Sequence, residues 1–171
     1  MSGGLSALPP CWRTERFRLR PLADGDAPAL RDVTDDPSIT TVIPFLPTPF
    51  TTSDAQALIA SAAGETDRFV GAFHRSDDRL YGVVGVHLRG QHELEIGYWI
   101  GAAFHGRGYA TEAAGATIHV VRRVLPGRRI VAECLPGNTV SWRVLEKLGF
   151  QPSGGDGTRP GRKLLVLSVP A

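Results

Sequence analysis

The chain has 171 residues, of which 42% are apolar types and 21% charged, and its 19 lysines and arginines against 17 aspartates and glutamates give a formal charge of +2. That length suits one domain with a core of its own, and the balance excludes a disordered tail; no run approaches the roughly 18 uninterrupted apolar residues of a membrane span, and the scattered basic residues leave no footprint for nucleic acid. Cys11 and Cys134 are too few for a disulfide framework, and Met1-Ser2-Gly3-Gly4 lacks the regions of an export signal, so a reducing cytoplasm is the expected compartment.

Residues 1–12, with Pro9 and Pro10, are expected to form a flexible arm ahead of a single domain over 13–171. Phe17, Leu19 and Pro21 alternate with Arg16, Arg18 and Arg20, the period of a half-buried strand. A helix is predicted from Asp24 or Asp26, whose carboxylates can cap free amides, to a point before Pro37. The run Ile43-Pro44-Phe45-Leu46-Pro47-Thr48-Pro49-Phe50 is apolar, yet its prolines exclude both a helix and a central strand. It is read as a loop with apolar side chains. Thr52, Ser53 and Asp54 open a second helix, closed by Gly64. Strands follow at 68–74, 81–88 and 93–100, joined by turns short enough for antiparallel hairpins. Phe104-His105-Gly106-Arg107-Gly108-Tyr109-Ala110-Thr111-Glu112 then leads into a helix reaching about Val124. A strand over 129–135, a helix from Asn138 with its stop at Gly149, and a strand over 162–169 complete a mixed α/β layer structure.

Chemistry concentrates at Gly106 and Gly108. They remove side chains where the backbone turns, and the helix beyond leaves its first amides without internal partners at the positive end of its dipole. Such a terminus suits a phosphate, with His105 and Arg107 as further donors. The same glycines also suit a plain strand-to-helix turn. A dinucleotide fold would need a third glycine where Thr111 stands, and a nucleoside triphosphate loop would need Gly-Lys-Ser/Thr, which is absent.

Glu95-Ile96-Gly97-Tyr98-Trp99-Ile100, then the segment from His105 to Ala113, and later Asn138-Thr139-Val140-Ser141 with Glu146-Lys147-Leu148-Gly149-Phe150, resemble the GNAT N-acetyltransferase superfamily over roughly residues 17–169. Within it they are similar to the branch that acetylates the N-termini of ribosomal proteins. The resemblance implies a mixed, mostly antiparallel twisted sheet with helices on both faces and splayed central strands. It also implies transfer of an acetyl group from acetyl-CoA, without a metal, to a primary amine of a protein N-terminus or small molecule by direct attack. On this reading His105-x-x-Gly108-x-Ala110 grips the CoA pyrophosphate, with Gly106, Arg107, Tyr109 and Thr111 beside it and histidine where glutamine or arginine is usual. Tyr98, Trp99 and Ile100 lie along the pantetheine arm next to a bulge at Gly97, Asn138 meets that arm, and an amide near Trp99 faces the thioester oxygen.

Two residues are candidates for proton transfer. Glu95, between Leu94 and Ile96, is read either as the group that takes the ammonium proton, directly or through water, or as a solvated strand carboxylate beside Glu93. The family's usual tyrosine position is Leu145 here, and Ser141 is read either as its substitute toward the CoA sulfur or as a first-turn serine that assists capping. The missing tyrosine keeps open a non-catalytic module that binds acyl-CoA. His74, His87, His92 and His119 have no metal-ligand spacing and read as surface or core histidines, and Cys134 as a buried thiol. The acceptor surface is expected to include the loop from Ile43 to Phe50 and the two early helices. An exposed strand edge is available for a homodimer.

Overall fold

The computed structural model describes residues 3–168; Met1 and Ser2 of the expected arm and residues 169–171, with the end of the expected last strand, lie outside the described residues. Eight strands form one sheet in the order β1-β2-β3-β4-β5-β6-β8-β7. They are β1 Trp12–Arg13, β2 Phe17–Pro21, β3 Asp67–His74, β4 Leu80–Arg89, β5 Glu93–Ile100, β6 Arg129–Cys134, β7 Phe150–Asp156 and β8 Lys163–Leu167. All neighbours are antiparallel except β5 and β6. The helices are α1 Ala27–Thr34, α2 Pro37–Thr40, α3 Thr52–Ser61, α4 Tyr109–Val124 and α5 Thr139–Leu148. Among the described residues no helix is long and apolar enough to cross a membrane.

Strand periodicity divides the core in two. On one face Val84, Val86, Leu94 and Ile96 pack with Ala113, Ile118 and Val121 of α4 and Leu145 of α5. On the other, Phe69, Val83 and Trp99 pack with Leu30 of α1, Ile59 of α3, and Leu46 and Phe50 of the proline-rich loop. Local signals set the helix ends: Thr51 and Asp54 form a reciprocal capping box on α3, Asn138 Oδ1 accepts the Ser141 amide at 3.2 Å, and Gly149 ends α5 at φ +96°.

Two expectations need correction. Residues 3–12 are not a loose arm: Leu5 is buried, its amide donates to the Glu65 carbonyl at 3.0 Å, and Trp12 pairs with Leu19 as β1. Pro9 and Pro10 stop regular structure locally, but Leu5 and Trp12 join the core beside α4, and that burial holds the segment. Gly97 is also not a bulge. The β4–β5 register runs without a shift from Gly82 opposite Ile100 to Arg89 opposite Glu93. The splay lies on the other side of β5, where pairing with β6 covers only Glu93, Leu94 and Glu95 against Arg129, Ile130 and Val131. Beyond that point β5 stays on β4 while β6 follows β8 from Val131 to Cys134. Each strand keeps its outer neighbour, so the two separate without breaking either ladder.

Candidate active site

A cleft of about 920 Å³ opens where β5 and β6 part, and the loop from His105 to Thr111 lines it together with β5 and the start of α5. The six consecutive amides from Gly106 to Thr111 donate to no acceptor among the described residues, and the first bond of α4 runs from the Glu112 amide to the Gly108 carbonyl at 3.2 Å. Gly106 and Gly108 sit at φ +75° and +76°, conformations that glycine adopts without a steric cost. A side-chain carbon built at Gly106 would meet nothing within 4 Å, so the loop is open in front. A row of free donors at a positive helix end, with no acceptor of its own to satisfy, fits a diphosphate.

Behind the loop, Glu112 ties α4 to the turn before β2. It accepts from Thr14 Oγ1 at 2.6 Å, from the Arg16 amide at 2.9 Å and from Arg16 Nε at 2.5 Å, while Arg16 Nη1 donates to the Arg107 carbonyl at 2.9 Å. Burial works against the charge of Glu112, but these donors outweigh it and hold the carboxyl below its ordinary value. Its contribution is therefore present above the ordinary carboxylate range and lost as pH falls through the depressed value. Glu112→Gln is expected to cost about 1–3 kcal/mol at pH 7, and urea midpoints should converge with those of the parent as pH falls below 4.

The side chains named for CoA divide by what they touch. Tyr109 packs its ring edge-on against Phe17, with centroids 5.2 Å apart, and under the Arg16 guanidinium, so only its amide serves the loop. His105 Nε2 donates to the Ile100 carbonyl at 2.6 Å, turning the ring back on the end of β5. Trp99 Nε1 donates to Thr34 Oγ1 at 3.0 Å and Ile100 lies in the opposite core, so at both positions the backbone edge is what faces the gap. Both the packing and the backbone roles of these strand residues are sterically compatible. Tyr98 reaches α5, where its hydroxyl donates to the Ser141 carbonyl at 3.1 Å and shares a hydrogen bond with Ser141 Oγ at 2.9 Å. Burial pushes the Tyr98 phenol up, beyond the reach of neutral pH. Leu145, at the family's tyrosine position, is buried. Cys134 lines the cleft nearby, and burial raises its thiol.

Glu95 is 6% exposed, and both of its oxygens are engaged: Oε1 accepts from Arg159 Nη1 at 2.7 Å and Oε2 from Arg89 Nε at 2.9 Å. Arg159 also donates to Glu133 Oε2 at 3.1 Å. It comes from the turn between β7 and β8, 64 residues from Glu95, and no local pattern in the sequence announces it. Opposite Glu95 in the ladder stands His87, 8% exposed, whose Nδ1 lies 2.7 Å from Asp67 Oδ1. The next pair on this face is Gly85 with Gly97: the His87 ring and Phe69 lie over Gly85, and the space over Gly97 is open. Ile43, Phe45, Phe69 and Trp99 wall this side, while Leu46 and Phe50 of the same loop turn inward to the core. Arg162 donates to the Val42 carbonyl and ties that loop to the β7–β8 turn.

A row of free amides, an unpaired strand edge able to hydrogen-bond a peptide-like arm, and a walled second compartment fit an enzyme that binds an acyl-CoA thioester. Sequence comparison agrees: residues 16–151 match the acetyltransferase (GNAT) domain family. The uncharacterized N-acetyltransferase YnaD of Bacillus subtilis (strain 168) is 31% identical over 142 residues, covering 82% of each chain. The [ribosomal protein uS5]-alanine N-acetyltransferase of Escherichia coli (strain K12) is 33% identical over 89 residues, 50% of this chain and 46% of that one. A crystal structure of a GNAT-family acetyltransferase from Bacillus anthracis superposes with a TM-score of 0.80 at 27% identity, over 91% of this chain and 96% of the other. The chain belongs to the GNAT acetyltransferase family, and it is an acetyl-CoA-dependent N-acetyltransferase.

Proposed function

We propose that the acceptor is the α-amine of a polypeptide N-terminus and that transfer proceeds by direct attack on the thioester. The observation that carries this reading is the cleft itself, with free amides from Gly106 to Thr111 on one side and the open space over Gly97, between His87, Glu95 and the aromatic wall, on the other. A peptide entering along the apolar loop meets Phe45, Phe69 and Trp99, whose ring centroids lie 6.0–6.3 Å apart. That the Escherichia coli relative acetylates an alanine of ribosomal protein uS5 supports a polypeptide over a small amine.

In this mechanism the amides of the loop hold the diphosphate of acetyl-CoA, the open edge of β5 aligns the pantetheine arm, and Asn138 shapes the turn where that arm meets α5. A β5 amide near Trp99 donates to the developing oxyanion, where a preorganised donor stabilises the tetrahedral state more than the planar thioester. Glu95, its two oxygens held by Arg159 and Arg89, fixes the wall of the cleft beside His87. Ser141 Oγ, held in place by Tyr98, hydrogen-bonds the departing thiolate and relays to it the second N–H proton of the amine, so that its hydroxyl is restored in the same step. All of these groups come from one chain, so the reading requires no second copy.

A mass-resolved screen offering N-terminal-alanine peptides together with free amino acids, polyamines and aminoglycosides tests the acceptor. Acetylation of the peptides at their α-amine is the expected result, and selective modification of a small amine would refute it. Ser141→Ala is expected to lower kcat about 10- to 100-fold while the KM for acetyl-CoA stays within about threefold, because the lost interaction forms only in the transition state. Equal rates would reduce Ser141 to a helix-cap residue.

A further inference from the structure

We propose that the imidazole of His87, oriented by Asp67, is the group that takes the proton from the attacking amine. The proposal rests on the acetyl-transfer reading above and adds to it a proton acceptor that sequence reasoning passes over as a core or surface histidine.

The geometry sets His87 apart from Glu95. Both Glu95 oxygens already receive guanidinium protons, whereas His87 Nε2 has no hydrogen-bond partner among the described residues and its side chain lines the cleft. A side-chain carbon at Gly85 would stand 2.6 Å from Nε2, so that nitrogen lies over Gly85, beside the open space above its ladder partner Gly97. On the other side of the ring, Asp67 Oδ1 is 2.7 Å from Nδ1, while Asp67 Oδ2 accepts from Thr66 Oγ1 at 2.8 Å. A carboxylate on Nδ1 fixes the tautomer with the proton there and leaves Nε2 as the free base. Phe69 packs edge-on against the ring at 5.4 Å and holds its plane.

The charges around the ring suit the same task. Asp67 on β3, Arg89 on β4 and Glu95 on β5 are the ionisable groups that face it, and Arg159 reaches it only through Glu95. The facing segment from Ser38 to Phe45 carries no ionisable residue. Burial, the largest influence, lowers the imidazole below its ordinary value of 6.5 against the pull of Asp67, so the ring is neutral at pH 7. Asp67 stays ionised: burial opposes its charge, but His87, Thr66 and Arg89 outweigh that penalty. The imidazolium formed by proton uptake would then sit between two carboxylates, Asp67 and Glu95.

The step balances as follows. An ammonium gives one proton to Nε2, directly or through one water, and becomes the neutral nucleophile. Its lone pair forms the C–N bond, the C–S bond breaks, and the second N–H proton ends on the departing thiolate. Imidazolium returns its proton to solvent, which matches the single proton released overall. Asp67 touches neither substrate and acts as a positioning residue.

The test is the pH dependence of kcat/KM from pH 5 to 9 with an N-terminal-alanine hexapeptide, alongside calorimetric titration with acetyl-CoA. The parent is expected to show an acidic limb below 6.5. His87→Gln should lower kcat about 100-fold at neutral pH and remove that limb, with acetyl-CoA affinity within about twofold. Asp67→Asn should keep a limb but move it to lower pH, because the carboxylate that raises the imidazole is gone; this shift is not expected from a purely structural role. Glu95→Gln should lose rate yet retain a limb. A limb that persists in His87→Gln, or that follows the acceptor when alanine is replaced by a less basic N-terminal residue, would overturn the proposal. If His87→Gln fails to bind acetyl-CoA, the Asp67→Asn shift decides alone, and an unmoved limb counts against it. A parent that acetylates no amine defeats the acetyl-transfer reading first, whereas an active parent with an indifferent His87→Gln defeats only this inference.

Discussion

Gly108→Val is expected to weaken acetyl-CoA binding at least 100-fold while leaving a folded protein. Gly108 caps α4 at φ +76°, where a β-branched residue costs on the order of 1–3 kcal/mol. Relieving that strain rotates the neighbouring peptide planes and turns amides of the Gly106–Thr111 row away from the cleft. A new side-chain carbon would also lie 3.6 Å from Arg16 Nη2, whose guanidinium holds the Arg107 carbonyl. Hydrogen bonds to a charged group are worth about 1.5–3 kcal/mol each, so losing two of them is enough for a factor of 100. Calorimetry with acetyl-CoA reads the affinity, and a urea titration confirms that the fold survives. Undiminished affinity would mean that the diphosphate is held elsewhere and would remove the basis of the site.

Glu95→Gln is expected to be the most damaging conservative change in the cleft, lowering stability by about 2–4 kcal/mol. Its side chain is 8% exposed and lies between Arg89 and Arg159, which are themselves 41% and 26% exposed. Removing one partner of a buried pair leaves an uncompensated charge, at a cost of about 3–5 kcal/mol when burial is complete. Solvent around Arg89 brings the expectation below that upper range. Arg159 would retain Glu133 alone, so the β7–β8 turn and, through Arg162 and Val42, the apolar loop from Ile43 to Phe50 should loosen. Glu95→Gln/Arg159→Gln should recover part of the lost stability in chemical denaturation, because it removes the unpaired charge as well. A double variant whose loss equals the sum of the Glu95→Gln and Arg159→Gln losses would show that the pair acts independently.

Much of this architecture depends on nearest neighbours, and that part was legible along the chain. Alternation at Phe17 and Leu19, Asp54 at the start of α3, the cap Asn138, and the glycines at 106, 108 and 149 each act within a few residues of themselves. Strands, helix ends and the loop of free amides follow from them. Where local and distant effects compete, local reading gives way: the prolines at 9 and 10 suggest a loose arm, but burial of Leu5 and Trp12 against remote side chains prevails. The splay behaves similarly, since it depends on how far β6 pairs with β5 before β8 takes over, and not on Gly97.

The amino-acid order alone thus determined the order of the central elements, the family motifs and the open row of amides after β5, because backbone conformation and helix ends answer to short-range sterics and hydrogen bonds. Only the tertiary structure decided which charges meet. It brought Arg159 to Glu95 across 64 residues, joined Asp67 to His87 across a strand pair, and set Tyr98 against Ser141. Side-chain electrostatics depend on distance in space and on burial, and neither quantity exists until the sheet has registered its strands.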